Sequence, residues 1–352
     1  MISRYSEARK TKSSENKSKP VDKGSSLSSP SPLDDRIRPK KFDDIIGRAQ
    51  EKQTLRMMIA AATKRKKAVD HILFYGPPGL GKTTFSIAMA NEIGSSIRIT
   101  SGPAIERQGD LAAILTGLKA NDVLFIDEIH RLSRIVEESL YPAMEDGVID
   151  IVMGKGPSAK TIRLNLEPFT LVGATTQIGK LSSPMRDRFG LVQRLDYFGT
   201  EDLVEIIRRA ANLEDIEIEE AALVEIANRS RGTGRVALRL FRRVVDYYEY
   251  MVKQGETLTV DVVKEALDLL GVDKMGLEEI DRRILEIIYS HFNGGPVGLS
   301  TLAIAISEDP VTLSEVYEPF LMKQGLIKRA ARGRVLTESG TLFVQQNLSS
   351  NG

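Results

Sequence analysis

Between Arg38 and about Gly199, short apolar runs alternate with longer amphipathic stretches. The runs at 72–75, 97–100, 122–126 and 169–174 predict strands, and the stretches between them predict helices. Helices between strands buried on both faces imply a parallel α/β sheet. From 201 to 271 the strand signal is lost, and Leu203, Ile206, Ile207 and Ala210 recur at helical spacing. Residues 281–337 read as three helices and a short hairpin. Ile149, Ile151 and Met153 alternate with polar positions, Gly154 to Pro157 breaks the chain, and Ile162, Leu164 and Leu166 alternate again. That pattern predicts a β-hairpin, either packed on its own domain or offered to a partner. The expected divisions are a disordered basic tail at 1–33, an α/β domain at 34–199 with the hairpin at about 147–168, a helical domain at 200–272, a third domain at 273–345 and a disordered end at 346–352. No internal repeat is present.

Composition narrows the picture in a few places. The net charge is +1, so a nucleic-acid surface must be local. The tail carries seven Lys or Arg against three acids, which suits a solvated extension or a salt-sensitive DNA tether. The absence of cysteine excludes disulfides, thiolate metal sites and cysteine nucleophiles. His71, His130 and His291 lie far apart in sequence, which argues against a histidine metal site. No apolar run has transmembrane length, and the N-terminus lacks a signal-peptide core, so a cytoplasmic protein with no membrane contact is expected.

Residues Gly76 to Thr83 match GxxxxGK[ST] between a strand and a helix, the context of a phosphate-binding loop. Gly76, Gly79, Leu80 and Gly81 let backbone N–H groups converge on an anion, and Thr84 follows in the first helical turn. Lys82 suits the β- and γ-phosphates of ATP, and Thr83 suits Mg²⁺. An apolar strand ends in Asp127 and Glu128, 45 residues after Lys82. Asp127 suits the Mg²⁺ shell, and Glu128 suits a base that orients and polarises water. The strand at 169–174 ends in Thr175 and Thr176, placed for a polar sensing role. Arg186 and Arg188 follow in SPMRDRFG. A cation here would answer the charge that builds on the equatorial oxygens in phosphoryl transfer. Arg235 opens a basic run and is the candidate second sensor.

These residues, in this order, resemble an AAA+ ATPase. The blocks RIRPKKFDDIIG, EESLYPAMEDG, RGTGRVALRLFRRV, GGPVGLSTLA and KQGLIKRAARGRV further resemble the RuvB family, over about Leu33 to Thr337. The resemblance implies an ATP hydrolase driving branch migration of Holliday junctions in recombination and repair. It implies a homo-oligomeric ring, most readily a hexamer, working with RuvA, RuvC and DNA. It implies that Thr175, alone or together with Thr176, is sensor 1, that Arg188, with Arg186 nearby, is the arginine finger, that Arg235 is sensor 2, and that Ile45, Ile46, Gly47 and Phe198 line the nucleotide site. It implies a C-terminal winged helix, with 311–322 as recognition helix and 326–337 as wing. Lys328, Arg329, Arg332 and Arg334 would contact DNA there, and Val152 and Met153 of the hairpin would contact RuvA. Two positions depart from the family pattern: Gly234 stands where Pro is usual, and Gln177 where Arg is frequent. A clamp-loader-like ATPase and an ATP-gated DNA-binding protein are the rival readings.

Overall fold

The central strands form because their side chains are apolar on both faces. In the computed structural model, which describes residues 36–153, 160–251 and 256–348, five parallel strands make one sheet. They are β1 (Ile72–Tyr75), β2 (Ile97–Ser101), β3 (Val123–Asp127), β6 (Thr170–Thr175) and β7 (Leu191–Arg194). Their order is β2-β3-β6-β1-β7. β6 is buried along its whole length, whereas β7 at the edge alternates half-buried and exposed positions. One apolar cluster covers each face: Phe42, Leu55, Phe74, Phe85 and Phe125 belong to one, and Leu111, Ile126, Leu140 and Leu171 to the other. Tyr75 lies opposite Thr175, and Ile126 opposite Gly173, so β1, β3 and β6 end at one level. Ligands bind beyond the carboxyl ends of strands in such sheets, and the phosphate loop, the Asp127–Glu128 pair and the Thr175–Thr176 pair all lie there.

β4 (Val148–Met153) and β5 (Lys160–Asn165) pair antiparallel, with Ile149 opposite Leu164. Ile149 is buried in the domain core, and Ile151, Leu164 and Leu166 pack against the same cluster. The base of the hairpin therefore spends its apolar alternation on its own domain. Val152 and Met153 end β4, paired with Thr161 and Lys160; the tip at 154–159 lies outside the described residues, as does the tail at 1–33.

Helices Thr200–Leu213, Glu220–Arg229, Gly234–Met251 and Val260–Leu269 form the lid around Leu203, Ile207, Leu223, Ile226, Phe241 and Leu267. The last unit contains helices Glu279–Phe292 and Leu299–Ile306, a helical rod, and a hairpin of β8 (Ile327–Ala330) and β9 (Gly333–Leu336). The rod departs from the uniform recognition helix expected at 311–322. It runs Pro310–Thr312, then a π turn at Leu313–Tyr317, then Glu318–Lys323. Pro319 has no N–H to give the carbonyl of Glu315, which explains why the helix widens here. A final helix, Glu338–Leu348, was not expected from the sequence and extends past the boundary at 345.

Candidate active site and nucleic-acid surface

The phosphate loop is shaped by glycine at two close approaches. Gly76 has φ +142°, and an added Cβ would lie 2.3 Å from the Leu195 carbonyl oxygen. Gly79 has φ +79°, and its Cβ would lie 2.9 Å from Cβ of Arg235. The loop ends at Gly81, and helix Lys82–Ile93 begins behind it. The Lys82 ammonium is buried and donates to the carbonyls of Gly76 (2.8 Å) and Pro77 (2.9 Å). Burial pushes its pKa down, and the carboxylates of Glu128 and Asp127 pull it back up. A buried cation under open N–H groups is a receptor for polyphosphate. Thr83 and Thr84, both half-buried, sit in the first turn.

Asp127 ends β3, where burial and the neighbouring Glu128 push its carboxyl up. Its Oδ1 accepts the Glu128 N–H at 3.0 Å. Glu128 itself has φ +47°, a left-handed conformation rare for a non-glycine residue and common at functional sites. Its carboxylate accepts the N–H of Thr176 (3.2 Å) and the Thr176 hydroxyl (3.1 Å). Nδ1 of His130 lies 3.1 Å from Glu128 Oε2 and 2.9 Å from Thr175 Oγ1. Burial is the largest influence on His130 and lowers its pKa, which favours the neutral imidazole.

The paired threonines thus divide their tasks. Thr175, the expected sensor, is fully buried and bound to His130 and the Gln177 N–H. Thr176 is the one that touches Glu128. The sequence placed no role on His130, although it stands only two residues after Glu128.

Arg235 is exposed at the start of the lid helix, and its charge reaches both Lys82 and Asp127. Ile45 and Leu80 are buried in one cluster, with Phe198 packed against it. Ile46 and Gly47 precede Arg48, whose guanidinium lies 4.4 Å from the Phe198 ring centroid. The Phe198 N–H donates to the Gly232 carbonyl at 2.9 Å, so this side of the cleft is tied to the lid. Arg188 takes a different place. It donates to Glu145 Oε2 (3.1 Å) and the Pro184 carbonyl (2.7 Å), and lies over the Tyr141 ring. These contacts are on the domain surface rather than at its own phosphate loop.

On the wing, the basic run splits in two. Arg329 donates to both oxygens of Glu318 (2.9 and 3.1 Å), and Arg334 does the same (2.9 Å each). Glu318 is 1% exposed. Arg334, expected on the DNA surface, is largely enclosed as a structural partner of this acid. Lys328 and Arg332 stay exposed, Arg332 in the turn between β8 and β9, and Arg329 keeps an exposed flank. Burial alone would raise the Glu318 pKa, but the two guanidiniums outweigh it and hold it below its ordinary 4.5. The folded unit therefore binds this proton more weakly than the unfolded chain. The stabilisation is present above the ordinary glutamate range and is lost as pH falls through the lowered value. Glu318→Ala leaves one enclosed guanidinium, Arg334, and one exposed one, Arg329, without their acid, and is expected to destabilise by about 1–3 kcal/mol. Urea unfolding of wild type and variant at pH 7, repeated toward about pH 3, checks both statements.

A P-loop, a strand-end acid pair, a threonine beside it and a lid arginine over the loop, on this sheet order, define an AAA+ ATPase. Residues 37–195 match the family described as Holliday junction DNA helicase RuvB P-loop domain. Residues 198–273 match the RuvB AAA lid domain, and 274–345 the RuvB C-terminal winged helix domain. The chain belongs to the RuvB family. It is 54% identical over 301 residues to the Holliday junction branch migration complex subunit RuvB of Fusobacterium nucleatum, covering 86% of this chain and 90% of that one. The solved RuvB Holliday junction branch migration motor of Thermotoga maritima matches with TM-score 0.79 and 46% identity, over 88% of this chain and 98% of that one. A point mutant of the same Thermotoga protein gives TM-score 0.81 with the same coverage.

Proposed function

We infer that this chain is an ATP-driven DNA motor that moves Holliday junctions, working as a ring with RuvA and the RuvC resolvase. The observation that carries the reading is the joining of the phosphate loop, acid pair and lid arginine to a winged helix in one body. Arg231, four residues before Arg235, donates to the buried Asp281 at 2.6 Å and stacks on Phe320 at 4.7 Å. The lid that covers nucleotide therefore holds the DNA-binding unit directly. A clamp-loader-like reading is less well supported, because residues 274–345 match a winged-helix domain.

Thr83 and Asp127 are hard oxygen donors suited to Mg²⁺, with nucleotide phosphates and water completing the shell. Among the described residues, no group of three His or acidic side chains could hold a metal unaided. That fits an ion delivered with the nucleotide, where it would neutralise phosphate charge. Lys82 binds the phosphates, Glu128 orients and polarises the attacking water, and Thr176 and His130 hold Glu128. Arg188 serves the adjoining subunit's site. On this account the lid angle changes with hydrolysis and carries the winged helix along the backbone of the duplex arm. Among the described residues, no helix is long and apolar enough to cross a membrane. Kinship with branch-migration subunits supports action on DNA in the cytoplasm.

The exposed wing cations, Lys328 and Arg332, suit phosphate contacts that carry no sequence information. Lys328→Ala and Arg332→Ala are each expected to weaken duplex binding about equally for any sequence and to reduce the slope of log K against log salt by about one. Binding titrations on unrelated duplexes at several salt concentrations test this. An unchanged slope in both variants would remove the wing from the interface. The motor reading itself is tested by ATPase assays, in which a four-way junction should stimulate turnover.

A further inference from the structure

Three consecutive residues at the end of β6 reach two different parts of the molecule. Thr175 bonds His130, Thr176 bonds Glu128, and Gln177 donates its Nε2 amide to Glu315 Oε1 on the winged helix. Both ends of this last contact are half-buried. Glu315 sits at the middle of the π turn Leu313–Tyr317, a distortion that recurs at functional positions. The Glu315 charge also reaches His130 of the Glu128 cluster. A second link from the winged helix, Lys323 Nζ 3.9 Å from the centroid of the Tyr197 ring, is to the strap between the large domain and the lid. The Gln177–Glu315 contact is thus a path from the DNA-binding unit to the water-polarising acid that spans two side chains and one peptide link.

We propose that Glu315 is a positioning residue for ATP hydrolysis, holding Gln177 so that Thr176 keeps its two hydrogen bonds on Glu128. Hydrogen bonds donated to a carboxylate lower its basicity and compete with a water for its lone pairs. Engaged, the contact restrains turnover. When DNA displaces the winged helix, Gln177 is released, Thr176 loosens, and Glu128 turns to the attacking water. Coupling of this kind needs a contact made in one arrangement of the two units and lost in the other.

The inference rests on Glu128 as the water-polarising acid. The experiment is steady-state ATPase by the full-length protein, without DNA and with a four-way junction, for wild type, Gln177→Ala, Glu315→Ala and the double variant. Glu128→Gln serves as blank, and melting temperatures confirm folding. Glu315→Ala is expected to raise the DNA-free kcat about 2- to 10-fold, the range set by one hydrogen bond of ordinary net strength. The KM for ATP stays unchanged, and stimulation by DNA shrinks by the same factor. Gln177→Ala should match it, and the double variant should add nothing further. Glu315→Gln, which keeps an acceptor oxygen for Gln177, should fall between wild type and Glu315→Ala. Additive effects, or DNA-free and DNA-stimulated rates equal to wild type in both single variants, would overturn the coupling. Undiminished hydrolysis by Glu128→Gln would instead overturn the assignment of the acid itself.

Discussion

Glu128→Gln is expected to bind ATP as wild type does and to hydrolyse it about 10²–10⁴-fold more slowly, the usual contribution of a positioned acid or base. The amide keeps the size of the side chain and can still accept from Thr176, so the fold and the phosphate loop are undisturbed. It loses the charge that polarises water. Equilibrium binding of a fluorescent ATP analogue, paired with single-turnover hydrolysis, separates the two effects. Lys82→Ala is the contrasting case: it removes the buried cation under the phosphates, so binding itself should be lost. A Glu128→Gln rate within a few-fold of wild type would move the base elsewhere in the site.

Arg188→Ala carries the second large effect. Its contacts with Glu145, Tyr141 and the Pro184 carbonyl place the guanidinium at the surface of its own subunit. On the proposal that it serves a neighbouring subunit, the variant should keep ATP binding and lose about 10³–10⁵-fold in turnover, as other phosphoryl-transfer sites do without their arginine. Mixing distinguishes this from an effect in cis. Added to wild type, Arg188→Ala subunits should depress activity more steeply than simple dilution, since each removes a finger from a site it does not own. Activity falling only in proportion to the mixture would place Arg188 in service of its own nucleotide.

How far the chain could be read in advance depended on whether the decisive contacts were local. β1, β3 and β6 were legible because each is an apolar run followed at once by its chemical group. The phosphate loop was legible because glycine at 76 and 79 answers a close backbone approach, which leaves a motif. β7 was not, since four residues with alternating exposure at a sheet edge carry little pattern. Of two adjacent threonines, spacing could not say which faced Glu128. The last in-strand residue, Thr175, is the buried one, and Thr176, just past the strand, turns to the acid. His130 figures in the sequence only as one of three scattered histidines, although its short separation from Glu128 was a usable signal. The wing shows the limit of counting charge. Arg334 belongs to an all-basic stretch, yet its partner Glu318 lies sixteen residues back and folds beneath it. The same holds for Gln177 and Glu315, which are 138 residues apart and brought together only by the packing of two domains.

The most direct test of the motor is the migration of a labelled four-way junction with heterologous ends, followed with ATP and Mg²⁺, in the presence and absence of RuvA. The account predicts movement that requires ATP, is strongly enhanced by RuvA and is abolished by Glu128→Gln. Vigorous junction-stimulated hydrolysis with no movement of the branch point, RuvA included, would contradict it.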